Sequence, residues 1–371
     1  MESKRIAVLS SHTPSLFWFR ADMMREFIAR GYSVFALGNE DEAKWKEKFS
    51  ERGIVYKRIE VSRNGLNPFQ DKKTLCSIKR ELREIKPDKV FTYQAKTVIY
   101  GTIAANELGI SEVYPLIAGM GSVFLSNDLK SKMVRLILVL LYKYAMRKCP
   151  AVFFQNKDDE EIFRSHGIIK KQKTVLIHGS GVNLDRFRVL PLPEKPAFLC
   201  ISRLIRDKGV YEYLEASKRI KNEYPSVRCL LVGPFDTNPS ALKPEDLKPY
   251  LDAGIEYFGE QEDVRPFLEQ VSVFVLPSYR EGTPKTNLEA MACGRAVITT
   301  DAPGCRETVV DGKNGFLIPV KDANTLSGKM KWCIENPIIV TEMGRQGRLI
   351  VESIFDVKKV NSVILSTMNI E

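Results

Sequence analysis

Two carboxylates eight residues apart carry the clearest chemical signal in the chain. They are Glu281 and Glu289, within Ser278-Tyr279-Arg280-Glu281-Gly282-Thr283-Pro284-Lys285-Thr286-Asn287-Leu288-Glu289-Ala290-Met291-Ala292-Cys293-Gly294. An ionised carboxylate accepts hydrogen bonds from two neighbouring hydroxyls at once, which suits Glu289 to a ribose and Glu281 to a sugar ring. The apolar run 271–276 reads as a strand before them, and 285–293 reads as a helix that Gly294 stops. Glu281 then sits in the loop at the strand's carboxyl end, and Glu289 about a turn into the helix. The start of such a helix offers unpaired N–H groups and the positive dipole end to a diphosphate. Taken singly, Glu281 reads rather as a helix cap and Glu289 as a solvated helical residue.

A second pair, Arg203 and Lys208, lies in Ile201-Ser202-Arg203-Leu204-Ile205-Arg206-Asp207-Lys208-Gly209, between a strand at 197–202 and a helix from 211. Two cations and a helix dipole there suit a diphosphate, each charge-assisted bond supplying roughly 1.5–3 kcal/mol. Alone, the same residues describe an ordinary basic surface loop.

The elements that must position these groups alternate. Strands are expected at 5–10, 32–37, 89–92, 113–117, 151–154 and 173–177, with helical stretches between them. Pro191, Pro193 and Pro196 then break the pattern, which restarts with strands at 197–202, 228–232, 256–258, 271–276 and 296–300. This rhythm implies an α/β fold of doubly wound parallel sheets, whose ligands bind at the carboxyl ends of the strands. With 371 residues the chain exceeds a single core, so two domains are expected, 1–185 and 186–371. Hydrophobic residues make up 44% and charged residues 27%, as in soluble globular proteins, and no run reaches the ~20 apolar residues of a membrane span. Seven cysteines without a C-x-x-C pair point to a reduced, cytosolic chain, and nothing clusters as a metal site. The net charge of +10 favours anionic partners: phosphorylated ligands, an acidic membrane or nucleic acid.

In order along the C-terminal half stand Ser202-Arg203 with Lys208-Gly209, Leu231-Val232-Gly233-Pro234, Gly259 after Tyr257-Phe258, Leu276-Pro277-Ser278, and the pair Glu281 and Glu289. Thr300-Asp301, Gly304, Glu307, Asp311-Gly312 and Asn314-Gly315 follow. This series resembles the retaining glycosyltransferases of family 4, which have the GT-B fold: two Rossmann-like domains facing a central cleft. The resemblance implies that 1–185 binds the acceptor and 186–371 a nucleotide sugar, with the last helix a candidate to pack back on the N-terminal domain. It implies a catalytic set of Arg203, Lys208 and Glu281, the two cations holding the donor diphosphate and neutralising the leaving nucleotide while Glu281 contacts the transferred sugar. Glu289 would bind the ribose. Gly233 and Gly259 would allow close approach, and Thr283, Lys285, Thr286 and Asn287 complete the donor-binding set. The donor is expected to be a UDP-sugar, and no metal or other cofactor is expected. The chain departs from the family pattern at Thr283-Pro284, where many relatives carry an aromatic residue and a glycine. Proline removes one N–H from the phosphate cradle, and the charge of Lys285 is the compensation available.

In the N-terminal half, His12, Ser15, Gly119 and Gly121 are candidate sugar or acceptor contacts, at the ends of two expected strands. Gly119-Met120-Gly121-Ser122 fails as a dinucleotide fingerprint because Phe124 stands where the last glycine belongs. Many family members carry a histidine here that contacts the donor sugar; this chain has Ala118 and Gly119, so that contact is either missing or supplied by His12. His178 reads as structural and His166 as a helix end. Arg63-Asn64-Gly65-Leu66-Asn67-Pro68-Phe69, with Gly119-Met120-Gly121-Ser122, is similar to a bacterial subgroup that includes N-acetylgalactosaminyltransferases extending undecaprenyl-diphosphate-linked sugars. The segment 129–148 carries Lys130, Lys132, Arg135, Lys143, Arg147 and Lys148, no acidic residue, and a mostly apolar centre. It reads either as an amphipathic helix lying on an anionic bilayer or as a core helix with snorkelling lysines.

The resulting expectation is a retaining enzyme that moves an N-acetylhexosamine or hexose to an undecaprenyl-diphosphate-linked saccharide, peripheral on the inner face of the plasma membrane. The alternatives are a soluble acceptor or a nucleotide-sugar epimerase of the same fold. An epimerase would need acid–base carboxylates and histidines around the sugar, and the chain has three histidines in all. Nucleic-acid binding is not expected: no recognition module accompanies the positive charge.

Overall fold

The computed structural model describes residues 3–62, 67–120, 124, 128–238 and 240–371. The chain divides into two compact units, Met1–Ser180 with Val357–Glu371, and Gly181–Asp356.

The first unit contains, in order, β1 (Arg5–Ser10), α1 (Thr13–Phe19), α2 (Ala21–Ala29), β2 (Ser33–Gly38), α3 (Glu42–Ser50), β3 (Val55–Arg58) and α4 (Pro68–Ile85). There follow β4 (Lys89–Tyr93), α5 (Thr102–Glu107), β5 (Glu112–Ile117), α6 (Leu129–Met146), β6 (Ala151–Phe154), α7 (Lys157–Ser165) and β7 (Lys173–Leu176). The strands form a parallel sheet in the order β3-β2-β1-β4-β5-β6-β7, so the strand order reverses between β1 and β4. The carboxyl ends of those two strands are adjacent, Ser10 pairing with Tyr93. Strands covered on both faces must be apolar on both, and Ile6 to Leu9 are fully buried. One face packs on α2 and α3 through Phe27, Trp45 and Phe49, the other on α4 to α7 through residues such as Ile78, Ala104, Tyr142 and Phe163.

The second unit carries β8 (Ala197–Ile201), α8 (Val210–Glu223), β9 (Arg228–Val232), α9 (Pro244–Leu251), β10 (Glu256–Tyr257), α10 (Arg265–Glu269) and β11 (Val273–Leu276). It continues with α11 (Lys285–Ala292), β12 (Ala296–Thr300), β13 (Gly315–Ile318), α12 (Ala323–Glu335) and α13 (Pro337–Ile350). Its parallel sheet runs β10-β9-β8-β11-β12-β13. The last helix, α14 (Val357–Thr367), belongs to the first unit: Ile364, Leu365 and Met368 are buried in the same core as Met24 and Phe27.

The proline-rich stretch is anchored rather than loose. Arg295 is fully buried, and its guanidinium donates to the carbonyls of Leu268 (2.8 Å), Leu190 (3.1 Å) and Pro191 (2.7 Å). Arg348 donates to Phe187 (2.9 Å) and Ala292 (2.8 Å). Two guanidiniums thus serve carbonyls of this irregular stretch and of the last turns of α10 and α11, which would otherwise be left bare. Two strands, β3 and β13, escaped the sequence reading. Each has four residues, β3 reading Val-Tyr-Lys-Arg at the sheet edge and β13 opening on a glycine. Among the described residues no helix is long and apolar enough to cross a membrane.

Helix α6 has two apolar faces. Val139, Tyr142, Ala145 and Met146 are buried in the core, while Leu129, Met133, Leu136, Leu140 and Tyr144 are each at least half exposed. The exposed positions recur every three or four residues and so share one face, with Lys132, Lys143 and Arg147 exposed among them. Asp128 caps the helix by accepting the Ser131 N–H (2.9 Å).

Candidate functional site

Arg203 and Lys208 lie just beyond the carboxyl end of β8, and Glu281 in the loop after β11, its neighbour in the sheet. Backbone contacts stitch the two loops together. The Tyr279 N–H donates to the Asp207 carbonyl (2.9 Å), and the buried Ser278 hydroxyl donates to the same oxygen (3.1 Å). Gly209 has φ +69°, and a Cβ there would stand 2.0 Å from the Pro277 carbonyl oxygen. Glycine is required because the loops approach too closely for a side chain. The stitching brings Lys208 against Glu281: the ammonium donates to the carboxylate, and both are largely buried. Arg203 is held by a different carboxylate, Asp236 (2.7 Å), which also accepts the Asn238 N–H (2.8 Å).

The loop after β12 supports Glu281 from the other side. Its N–H donates to the Pro303 carbonyl (2.9 Å), and Gly304, at φ +82°, passes so close that a Cβ would lie 2.2 Å from the Glu281 carbonyl oxygen. Sequence reasoning missed Asp236 and gave Gly304 no role. A proline–glycine pair just past a strand was the available signal for the second. Nothing local marks Asp236, which follows a different strand.

Helix α11 begins at Lys285, with Pro284 as its N-cap and no side-chain cap. The N–H that proline lacks therefore falls outside the helical turn, whose first donors, at Lys285 and Thr286, remain. Thr283, Lys285 and Thr286 are partly buried beside this end. Asn287 corrects an expectation: it is fully buried, its Nδ2 donates to Thr308 Oγ1 (2.9 Å), and its Oδ1 is unbonded. It lines the interior of the unit and offers no side chain outward. Glu289 is partly buried rather than solvated, and burial pushes its carboxyl up to about 7. The Lys285 and Arg186 charges pull it down, while Asp263 raises it.

The two glycines beside this region have distinct reasons. Gly233 (φ +144°) follows β9, where a Cβ would stand 1.8 Å from the Ser202 carbonyl oxygen. Gly259 has φ +66° with open space around it, and its carbonyl accepts the Gly233 N–H (2.7 Å). Crowding by the backbone accounts for the first, backbone conformation for the second.

In the first unit, His12 is the N-cap residue of α1 and is partly buried. Ser15 corrects a second expectation. It is buried, and its hydroxyl bonds the His12 carbonyl (2.8 Å), Tyr93 Oη (2.9 Å) and Gln94 Nε2 (3.0 Å), so it is spent within the fold. Gly119 has φ +104° and is partly buried. Gly121 and Ser122, and Arg63 to Leu66, lie outside the described residues. Among the described residues no group of three His, Cys, Asp or Glu side chains is placed to hold a metal.

Comparison with known proteins agrees with this architecture. Residues 182–349 match the family described as glycosyl transferases group 1, and residues 5–156 the family described as glycosyl transferase 4-like. The chain is 30% identical over 347 residues to the N,N'-diacetylbacillosaminyl-diphospho-undecaprenol alpha-1,3-N-acetylgalactosaminyltransferase of Campylobacter jejuni, covering 90% of each chain. It is 27% identical over 271 residues, 69% of each chain, to the Escherichia coli UDP-Gal:alpha-D-GlcNAc-diphosphoundecaprenol alpha-1,3-galactosyltransferase. Its fold is similar to that of Anabaena Alr3699/HepE, solved in complex with UDP-glucose, at a TM-score of 0.78 and 19% identity over 98% of this chain and 99% of that one.

Proposed function

Because the chain belongs to the 4-like, group 1 glycosyltransferases, we propose that it moves an N-acetylhexosamine or hexose from a UDP-sugar to an undecaprenyl-diphosphate-linked saccharide, with retention of anomeric configuration. The observation that carries the chemistry is the Lys208–Glu281 pair on two stitched strand ends. Arg203 and Lys208 hold the donor diphosphate, Glu289 the ribose, and the first N–H groups of α11 add their dipole to the phosphate charge. Thr283, Lys285 and Thr286 complete that end, and the turn at Gly233 and Gly259 shapes the edge of the donor seat. The acceptor class is supported by the diphosphoundecaprenol substrates of the Campylobacter and Escherichia enzymes, and the uridine donor by the UDP-Gal of the Escherichia enzyme.

Retention by double displacement needs a free carboxylate at the anomeric carbon. Glu281 already accepts from Lys208, which makes it a poor nucleophile and favours a front-face route. The bond from the anomeric carbon to the β-phosphate oxygen breaks, and the acceptor hydroxyl forms the new bond from the same face. Its proton passes to the departing phosphate. The side chains supply electrostatic stabilisation of the leaving nucleotide, which is where such enzymes gain most.

In this reading α6 is the membrane contact, which supports a place on the cytoplasmic face of the plasma membrane. Its exposed apolar stripe and interspersed cations match an anionic bilayer, each basic residue contributing about 1 kcal/mol near such a surface. His12 and Gly119 remain candidates for contact with the sugar or acceptor.

The test is nucleotide release from a panel of UDP- and GDP-sugars, with and without undecaprenyl-diphosphate-linked saccharide. Acceptor-dependent UDP release, reduced about a hundredfold by Lys208→Ala, is the expected result. Release that ignores the acceptor, or a Lys208→Ala variant of normal rate, would overturn it. A changed sugar nucleotide with no acceptor consumed would identify an epimerase.

A further inference from the structure

Among the described residues Arg20 is a cation without an anion. It follows α1, is 3% exposed, and lies over the rings of Tyr93 (5.2 Å from its centroid) and Phe91 (5.9 Å). Its Nε has no hydrogen-bond partner, and among the described residues no carboxylate pairs with it. Arg295 shows the contrast: equally buried, it spends its guanidinium on three carbonyls. Burial pulls Arg20 down to about 10, so it still carries its charge at neutral pH. Buried polar groups normally find partners, and an unpaired buried charge costs stability that an apolar side chain of similar volume would not.

The surroundings are the carboxyl edge of the sheet. Tyr93 closes β4, and its hydroxyl shares a hydrogen bond with Ser15. The next residue, Gln94, has a left-handed backbone (φ +71°), unusual for a residue other than glycine. Its side chain accepts from Ser10 and Ser11 (2.9 Å each) and donates to Ser15 (3.0 Å), which holds the strained residue in place. Strain kept by a dense set of bonds is common at ligand sites. This one lies at the carboxyl ends of β1 and β4, where the strand order reverses and parallel sheets bind ligands.

We propose that Arg20 receives a phosphate of the substrate held by the first unit, the diphosphate of the lipid-linked acceptor. The inference rests on the acceptor class proposed above. A guanidinium presents a planar fork that fits phosphate oxygens two at a time, and a site over aromatic rings strengthens that contact by excluding water. Arg20 is then a binding residue whose missing partner arrives with the substrate.

Arg20→Met and Arg20→Lys separate the alternatives. With UDP saturating, geranyl diphosphate is expected to raise the melting temperature of the wild-type chain and to leave that of Arg20→Met unchanged. Without ligand, Arg20→Met is expected to melt a few degrees higher, since it removes an unpaired charge. In turnover, the acceptor KM is expected to rise about 10- to 100-fold in Arg20→Met, the donor KM to stay constant, and Arg20→Lys to recover part of the loss. Overturning results are an unchanged acceptor KM, a geranyl diphosphate shift equal in wild type and Arg20→Met, or an orthophosphate shift as large at the same concentration. The last would assign the site to free phosphate. The thermal shift needs no turnover. A wild-type chain that transfers nothing to the lipid-linked saccharide counts against the proposed function, whereas loss of the difference between wild type and Arg20→Met counts against Arg20.

Discussion

Glu289 gives a pH dependence that can be worked from its surroundings. Burial raises its carboxyl from an ordinary 4.5 to about 7, against the pull of Lys285 and Arg186. A ribose diol donates two hydrogen bonds and so binds the ionised form. Affinity for UDP should therefore rise with pH through 7 and level off above it. At pH 6 about a tenth of the free enzyme would be ionised, so UDP should bind about tenfold more weakly than at pH 8. Stability runs the other way. A carboxyl whose folded value lies above its unfolded value binds more protons in the folded state between the two values. Stability is then lost at about 1.4 kcal/mol per pH unit from pH 4.5 to 7 and is constant above that. Because Glu289 is only partly buried, the total is discounted to about 1–3 kcal/mol. Glu289→Gln should melt higher than wild type at pH 8, bind UDP at least about tenfold more weakly, and keep between pH 6 and 8 only the pH dependence of the UDP terminal phosphate itself. Titration calorimetry with UDP at three pH values, beside thermal melts of both proteins, reads every part. UDP affinity that is flat with pH in the wild type, or unchanged in Glu289→Gln, would refute the assignment of Glu289 to the ribose.

Gly304→Ala places a Cβ 2.2 Å from the Glu281 carbonyl oxygen at a positive φ. It should cut turnover at least about tenfold while costing about 1–3 kcal/mol of stability, and a variant of normal rate would show that the Glu281 loop tolerates displacement. Arg295→Met leaves three carbonyls unserved around the proline-rich stretch. A loss of about 3–5 kcal/mol is expected from denaturant unfolding, and a neutral result would mean that water replaces the guanidinium. Replacing Leu136 and Leu140 with glutamate, on the exposed face of α6, should abolish sedimentation with vesicles rich in phosphatidylglycerol and leave the melting temperature within a degree or two. Unchanged sedimentation would remove α6 as the membrane contact.

The sequence made the strands legible wherever they were apolar and central. β1, β6, β9 and β12 carry bounds equal to those expected, because a strand buried on both faces announces itself as a continuous apolar run. It concealed β3 and β13, where edge position or an opening glycine dilutes that signal. The site was half legible for a related reason. Residue type told which groups could bind a sugar nucleotide, but pairing is a property of the fold. Lys208 and Glu281 are distant in sequence and meet only because β8 and β11 are neighbours and Gly209 lets their loops touch. Ser15 and Asn287 show the converse. Both stand in motifs that face a ligand on paper, yet the first turn of α1, bonded to Tyr93 and Gln94, and a helix face turned toward Thr308 carry their side chains inward. The glycines follow the same logic. Gly233 reads from the sequence as room for a ligand, and the fold uses that room for the Ser202 backbone. Motif spacing therefore locates a strand end, and the backbone crowding at that end decides which side chains are left to meet a substrate. By that criterion the partly buried Arg203, Lys208, Lys285 and Glu289 are the groups left for the donor chemistry proposed above. Arg20, which no motif marked, is left as the cation for which the described residues of the first unit supply no carboxylate partner.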